Sequence, residues 1–189
     1  MKPIVIDNCL PKLYFENLVR RVTDWEKVPY VFVSRTGNNN GREEILDYSH
    51  CVLVFDRGNV NSPLYDVLYD TLLLMLDSIG CRIEKLLRIR VGLITAQEKR
   101  FEHEPHVDFP FEHKTVLLYL NSVDGNTTLY NEYYDPATMF NIDDKIALTV
   151  QQTIKPEANR VVLFDGFQFH SSSTPTTNQY RLVVNFNFK

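Results

Sequence analysis

Tyr180-Arg181-Leu182-Val183-Val184-Asn185-Phe186-Asn187-Phe188 is the stretch whose reading decides the fold. Successive side chains of a strand leave on opposite faces. Leu182, Val184, Phe186 and Phe188 therefore share one face, and Arg181, Val183, Asn185 and Asn187 share the other. The first face is apolar throughout; the second is mostly polar and begins with an arginine. That pattern suits a barrel strand with helices packed outside and a polar pocket inside.

Working outward, the runs 85–95, 115–121, 127–130, 145–154 and 160–165 also read as strands. Val161-Val162-Leu163-Phe164 is apolar on both faces and needs cover on both sides. The chain up to residue 81 differs. Leu10, Leu13, Tyr14, Leu18, Val22 and Trp25 recur at helical spacing, with Pro11 suited to a first turn. Ser62-Pro63 offers a hydroxyl cap and a first-turn proline to a second helix, which Gly80 closes. Its stripe is Leu64, Leu68, Leu72, Met75, Leu76 and Ile79. Such helices need a partner surface, and a sheet face supplies it. The expected fold is mainly β with packed helices, in one domain of 189 residues: 1–81 as support, 82–189 as barrel core. Gly37-Asn38-Asn39-Asn40-Gly41 reads as a loop and a candidate lid.

Within this frame, His106-Val107-Asp108 puts two ligand-type side chains on one face of an extended segment. His170 follows the 160–165 run at the edge of the Ser171-Ser172-Ser173-Thr174-Pro175 turn, a place for a remote ligand to converge at a barrel mouth. Two imidazoles and a carboxylate form the facial set that suits non-haem Fe(II) and leaves neighbouring coordination positions open. Arg181 adds a fixed cation for an anionic co-substrate. With five histidines in the chain, His-x-Asp alone is a weak signal. His103, His106 and His113 form a rival zinc set, but no nearby cysteine completes a tetrahedron. His103 and His113 are read as surface or supporting residues.

The net charge of −4 argues against general phosphate-backbone binding. One basic strip stands out: Arg82, Lys85, Arg88, Arg90, Lys99 and Arg100. Its plain reading is a solvated strand face and turn; a docking strip for an acidic or nucleic-acid substrate ranks second. Arg88 and Arg90 would share one strand face. Cys9, Cys51 and Cys81 are widely spaced and read as buried free thiols of a reducing cytosol. The apolar run after Met1 is too short for a signal peptide, and no segment is long enough to span a bilayer, so a cytoplasmic protein is expected. The oligomeric state is not fixed by the sequence.

Three further stretches raise the signal: His106-Val107-Asp108-Phe109-Pro110, Thr115-Val116-Leu117-Leu118-Tyr119-Leu120-Asn121 and Gly125-Asn126-Thr127-Thr128-Leu129. With Asn159-Arg160-Val161-Val162-Leu163-Phe164-Asp165-Gly166, His170 and Tyr180-Arg181, they resemble the 2-oxoglutarate/Fe(II)-dependent dioxygenases, and among them the prolyl 4-hydroxylase-like branch. The resemblance covers residues 88–189. It implies a double-stranded β-helix, a jelly-roll barrel, with N-terminal helices against the sheet. His106, Asp108 and His170 match the iron ligands. Arg181 matches the residue that pairs with the distal carboxylate of 2-oxoglutarate, and Tyr119 a phenol that assists it. Thr115, on the Tyr119 face of its strand, joins them as a pocket-lining candidate.

Three positions depart from the family pattern. Gly125-Asn126 stands where many members have Gly-Gly, and Val183 where many have Ser or Thr. The tyrosine that some prolyl hydroxylases carry about ten residues before the first ligand falls near Ala96. Asp108 is present where halogenating relatives have a small residue, which favours hydroxylation.

The resemblance implies Fe(II), 2-oxoglutarate and O2, with ascorbate as a further small molecule, and release of succinate and CO2. A prolyl residue in a peptide or protein is the first-ranked substrate, a free amino acid or other small molecule the second, and a nucleobase the third. The rivals are a jelly-roll binding protein without turnover and a metal-dependent isomerase or hydrolase on a cupin-like barrel. Tyr130, Tyr133 and Tyr134 are read as packing and turn residues, or as an aromatic wall beside the open end.

Overall fold

The computed structural model describes residues 1–32, 47–54, 58–137 and 147–189. Strands β1 (Ile4–Ile6), β2 (Val31–Phe32), β3 (Asp47–Leu53), β4 (Leu86–Thr95), β5 (Lys114–Tyr119), β8 (Val161–Asp165) and β10 (Tyr180–Phe188) build the larger sheet. Its order is β1-β8-β5-β10-β4-β3-β2. The smaller sheet, in the order β7-β6-β9, consists of β6 (Thr127–Tyr133), β7 (Val150–Ile154) and β9 (Gln168–Ser172). All pairings are antiparallel, and the two sheets form the jelly roll that the sequence leads one to expect.

β10 lies between β5 and β4, and its two faces have the two environments that its alternation demands. Leu182, Val184, Phe186 and Phe188 join Ile89, Val91, Val116, Leu118, Val161 and Leu163 in the main core. The helices close that core. α1 (Lys12–Val22) contributes Phe15, Leu18 and Val22; α2 (Tyr65–Ile79) contributes Leu68, Leu72, Met75 and Leu76. Burying one such leucine stabilises the fold by about 1.5–3 kcal/mol. A hydrogen bond of 2.8 Å between the Tyr14 and Thr71 hydroxyls ties the helices together. Gly80 ends α2 at φ 72°, a left-handed conformation that favours glycine.

Inside the barrel a second cluster forms from Leu117, Tyr119, Leu129, Ile154, Val162, Phe164 and Val183. The strand 161–165 is therefore covered on both sides, as its composition requires.

The structure corrects several details. Leu13 and Trp25 sit at helical spacing but are 79% and 50% exposed, while Phe15 takes the inward position. The three cysteines are free but half-buried rather than buried. Tyr130 and Tyr133 belong to β6 rather than a turn: Tyr130 pairs with Val150, and Tyr133 with Gln168. The segment 37–41 lies outside the described residues.

Candidate metal and co-substrate site

His106 and His170 are brought together by the backbone. The His106 N–H donates to the His170 carbonyl at 2.9 Å, and the His170 N–H to the His106 carbonyl at 3.0 Å. Such a reciprocal pair projects its two side chains from one face at close range, and the ring centroids lie 4.5 Å apart. His170 thus stands within β9 rather than at the edge of a turn.

Each ring also has its tautomer set. The His106 Nδ1 lies 3.1 Å from the Glu104 carbonyl, and the His170 Nδ1 lies 3.1 Å from that of Gln168. A carbonyl only accepts, so each Nδ1 carries the proton and each Nε2 keeps its lone pair free for a metal. Burial holds both imidazoles below their ordinary pKa, that of His170 down to about 4 with the neighbouring His106 adding to the effect. Both are therefore neutral near pH 7.

Asp108 completes the group. Its Oδ2 is 4.0 Å from the His170 Nε2, and the ligand atoms of His106, Asp108 and His170 all lie within 4.8 Å of one another. The carboxylate is gripped by three side chains. Arg88 donates to Oδ1 at 2.5 Å, and the Asn185 and Asn187 amides donate to Oδ2 at 3.1 and 2.8 Å. Burial alone would raise the Asp108 pKa. Arg88, His170, His106 and Arg90 outweigh it and hold the carboxyl well below its ordinary value. One anionic oxygen and two neutral imidazoles converge in a buried site, a donor set that fits Fe(II).

The cavity beside these groups is lined by Arg90, Leu117, Thr127, Arg181, Val183 and Asn185, among others, together with His106 and His170. Arg181 is 3% exposed, and its guanidinium lies 5.5 Å from the Tyr119 ring centre. Thr127 accepts from Arg181 and from the Tyr119 hydroxyl, each at 2.7 Å. The Arg181 Nε is buried with no hydrogen-bond partner. A carboxylate would satisfy it, so the cavity fits an anionic co-substrate with one end at Arg181 and the other toward His106, Asp108 and His170.

Sequence reasoning missed Thr127. It belongs to the quoted 125–129 motif and shares the inward face of β6 with Leu129, so alternation could have found it. Thr115 shares a face of β5 with Tyr119. Its hydroxyl accepts from the Asn187 amide at 3.0 Å, behind Asp108. Its role is to hold a residue that holds the carboxylate.

Arg88 and Arg90 are the larger correction. They share a face as expected, but that face is the barrel interior, where they pair in register with Asn187 and Asn185. The rest of the strip is solvated: Arg82, Lys85, Lys99 and Arg100 are exposed, and Arg100 meets Asp124 at 2.9 Å. His103 and His113 lie outside the ligand group. His103 meets Asp47 at 3.1 Å, and the His113 ring lies against Gly166, where any Cβ would come within 2.4 Å of it. Gly125 is similarly confined, 2.6 Å from the Ser173 carbonyl oxygen measured at a Cβ position.

The family model for the 2OG-Fe(II) oxygenase superfamily matches residues 92–189. No curated protein matches the sequence. Among solved structures, an oxidoreductase of the 2OG-Fe(II) oxygenase family from Burkholderia pseudomallei superposes with TM-score 0.66 at 13% identity, over 99% of this chain and 85% of that one. A prolyl hydroxylase from Trichoplax adhaerens, bound to a peptide fragment of the hypoxia inducible factor oxygen degradation domain, gives 0.63 at 15%, over 98% and 82%. The alpha ketoglutarate dependent epimerase SnoN of nogalamycin biosynthesis gives 0.66 at 16%, over 98% and 77%. At these identities the likeness concerns the fold alone.

Proposed function

The chain belongs to the 2OG-Fe(II) oxygenase superfamily, and on that premise we propose that it hydroxylates a C–H bond, first of all in a prolyl residue of a peptide or protein. His106, Asp108 and His170 hold Fe(II). Arg181, with Thr127 and Tyr119 beside it, takes the distal carboxylate of 2-oxoglutarate. The observation that carries this reading is the gathering of three ligand atoms within 4.8 Å, beside a cavity containing a buried arginine whose Nε lacks a partner.

When bound, the iron and its co-substrate supply the oxygen activation, with succinate and CO2 as the co-products. The chain's own part is orientation. Backbone carbonyls fix which nitrogen of each histidine faces the metal. Arg88, Asn185 and Asn187 hold Asp108 in one rotamer and keep it ionised. The Tyr119 hydroxyl donates to Thr127, and Arg181 donates to the same oxygen. The Thr127 hydroxyl proton is left to turn toward the incoming carboxylate. Leu117, Val183 and Ile94 make the cavity wall apolar, which strengthens the guanidinium–carboxylate pair by excluding water.

The prolyl assignment draws on the Trichoplax adhaerens neighbour named above, while SnoN places other chemistry on the same fold. The test is incubation with Fe(II), 2-oxoglutarate, ascorbate and a panel of proline-containing peptides. Iron-dependent succinate release with a mass gain of one oxygen atom on a peptide is the expected result. Succinate release without peptide oxidation would retire the prolyl substrate but keep the oxygenase. Indifference to 2-oxoglutarate would favour an isomerase or hydrolase.

A further inference from the structure

The metal cavity contains a second arginine that neither the iron ligands nor the co-substrate uses. Arg90 sits on β4 in register with Asn185 of β10, next to the Arg88–Asn187 pair. Arg88 is spoken for by Asp108. Arg90 lines the cavity with His106, His170 and Arg181, and its Nε is buried without a hydrogen-bond partner. Among the described residues no carboxylate reaches it within ion-pair distance. Asn185 beside it donates its amide to Asp108, while its Oδ1 is buried and unpartnered. Two neighbouring side chains thus present a free donor and a free acceptor to one space.

Charge points the same way. Asp47, the other cavity acid, faces the buried His103 at 3.1 Å. With Fe(II) and dianionic 2-oxoglutarate seated, Arg88, Arg90, Arg181 and the metal face Asp47, Asp108 and the dianion. Among the described residues roughly one positive charge is then left without a counter-charge, a costly state in a buried site. The position of Arg90 separates it from the co-substrate anchor. Arg181 pairs with Ile94, four residues along from Arg90, or roughly 13 Å at the rise of a strand. Asn185, through its bond to Asp108, sets Arg90 level with the metal. On the assignment above, both ends of 2-oxoglutarate are already occupied, at Arg181 and at the metal.

We infer that Arg90 is a specificity-determining residue that binds a carboxylate of the primary substrate beside the carbon to be oxidised. The substrate class is therefore acidic: a proline with a free carboxylate, or a prolyl residue with an acidic neighbour. This rests on the oxygenase reading and deepens it. Arg90 and the Asn185 Oδ1 together accommodate a carboxylate next to a hydrogen-bond donor, the pairing that an amino acid or a peptide end presents.

The test uses protein loaded with Mn(II) and 2-oxoglutarate, titrated calorimetrically with L-proline and L-prolinamide. A peptide with proline followed by aspartate, set against its asparagine counterpart, separates a side-chain carboxylate from a terminal one. At least one acid should bind about tenfold or more tightly than its amide. At saturating Mn(II) and 2-oxoglutarate, Arg90→Gln should erase that preference and Arg90→Lys restore part of it. Equal binding of acid and amide in both pairs, or no saturable binding of either acid, overturns the inference. An Arg90→Gln variant that loses 2-oxoglutarate as Arg181→Ala does overturns it too, by assigning Arg90 to the co-substrate. A parent that takes up neither Mn(II) nor 2-oxoglutarate is a distinct failure, that of the oxygenase reading itself.

Discussion

The Asp108 carboxylate is where the chemistry of single residues matters most. His106, Asp108, His170 and Arg181 were legible in the sequence as candidates because their types and spacing carry chemistry. Arg88 and Arg90 were not, since charged residues alternating along a strand look the same facing water or a barrel interior. Only their register with Asn187 and Asn185 separates the two. Arg88 lowers the Asp108 pKa against a burial effect that raises it. Arg88→Ala should therefore let protons compete with metal at higher pH. Mn(II) affinity measured against pH should show its acid limit moving upward, and Arg88→Lys should bring it part of the way back. An unmoved limit would mean that Asn185 and Asn187 suffice. At the ligands themselves, His106→Ala, Asp108→Ala or His170→Ala should abolish Mn(II) binding with the fold retained, whereas His113→Ala should keep it.

Among the elements, strands β4, β5, β8 and β10 and both helices were readable, and the polar strands β3 and β9 were not. β10 alternates cleanly over Tyr180–Phe188. β9 reads Gln-Phe-His-Ser-Ser and β3 begins Asp-Tyr-Ser-His, so neither has an apolar period, and each is set by its neighbours rather than by its own propensity. β9 carries His170, and the corner that delivers it depends on Gly166. A Cβ there would come within 2.4 Å of three His113 ring atoms. Gly166→Ala should cost about 1–3 kcal/mol of stability, as overpacking does, and should weaken Mn(II) binding by displacing β9. Denaturant titration and metal titration of the same sample check both. Leu72, fully buried under the sheet, is the control. Leu72→Ala should cost about 2–5 kcal/mol and leave the 2-oxoglutarate affinity of the folded protein unchanged.

For the whole molecule, the net charge of −4 coexists with arginines turned inward at the metal cavity. That inward placement could not be read from composition, which counts charges without locating them. Burial of His106 and His170 also ties the site to global stability. Both have folded pKa values below 6.5, so the unfolded chain binds protons that the native state refuses. Metal-free stability should be full above pH 6.5 and fall as pH drops toward about 4, with His170 alone worth about 3 kcal/mol. Chemical denaturation of metal-free protein between those pH values checks the sign, and His170→Gln should flatten the slope. The central claim is that one cavity joins a His106–Asp108–His170 metal site to an Arg181 carboxylate anchor. The most direct measurement is anaerobic titration of 2-oxoglutarate into Fe(II)-loaded parent and Arg181→Ala protein, with metal binding measured separately. The account predicts unchanged metal binding and 2-oxoglutarate weakened by about 2–4 kcal/mol in the variant. Equal 2-oxoglutarate affinity in the two proteins would contradict it.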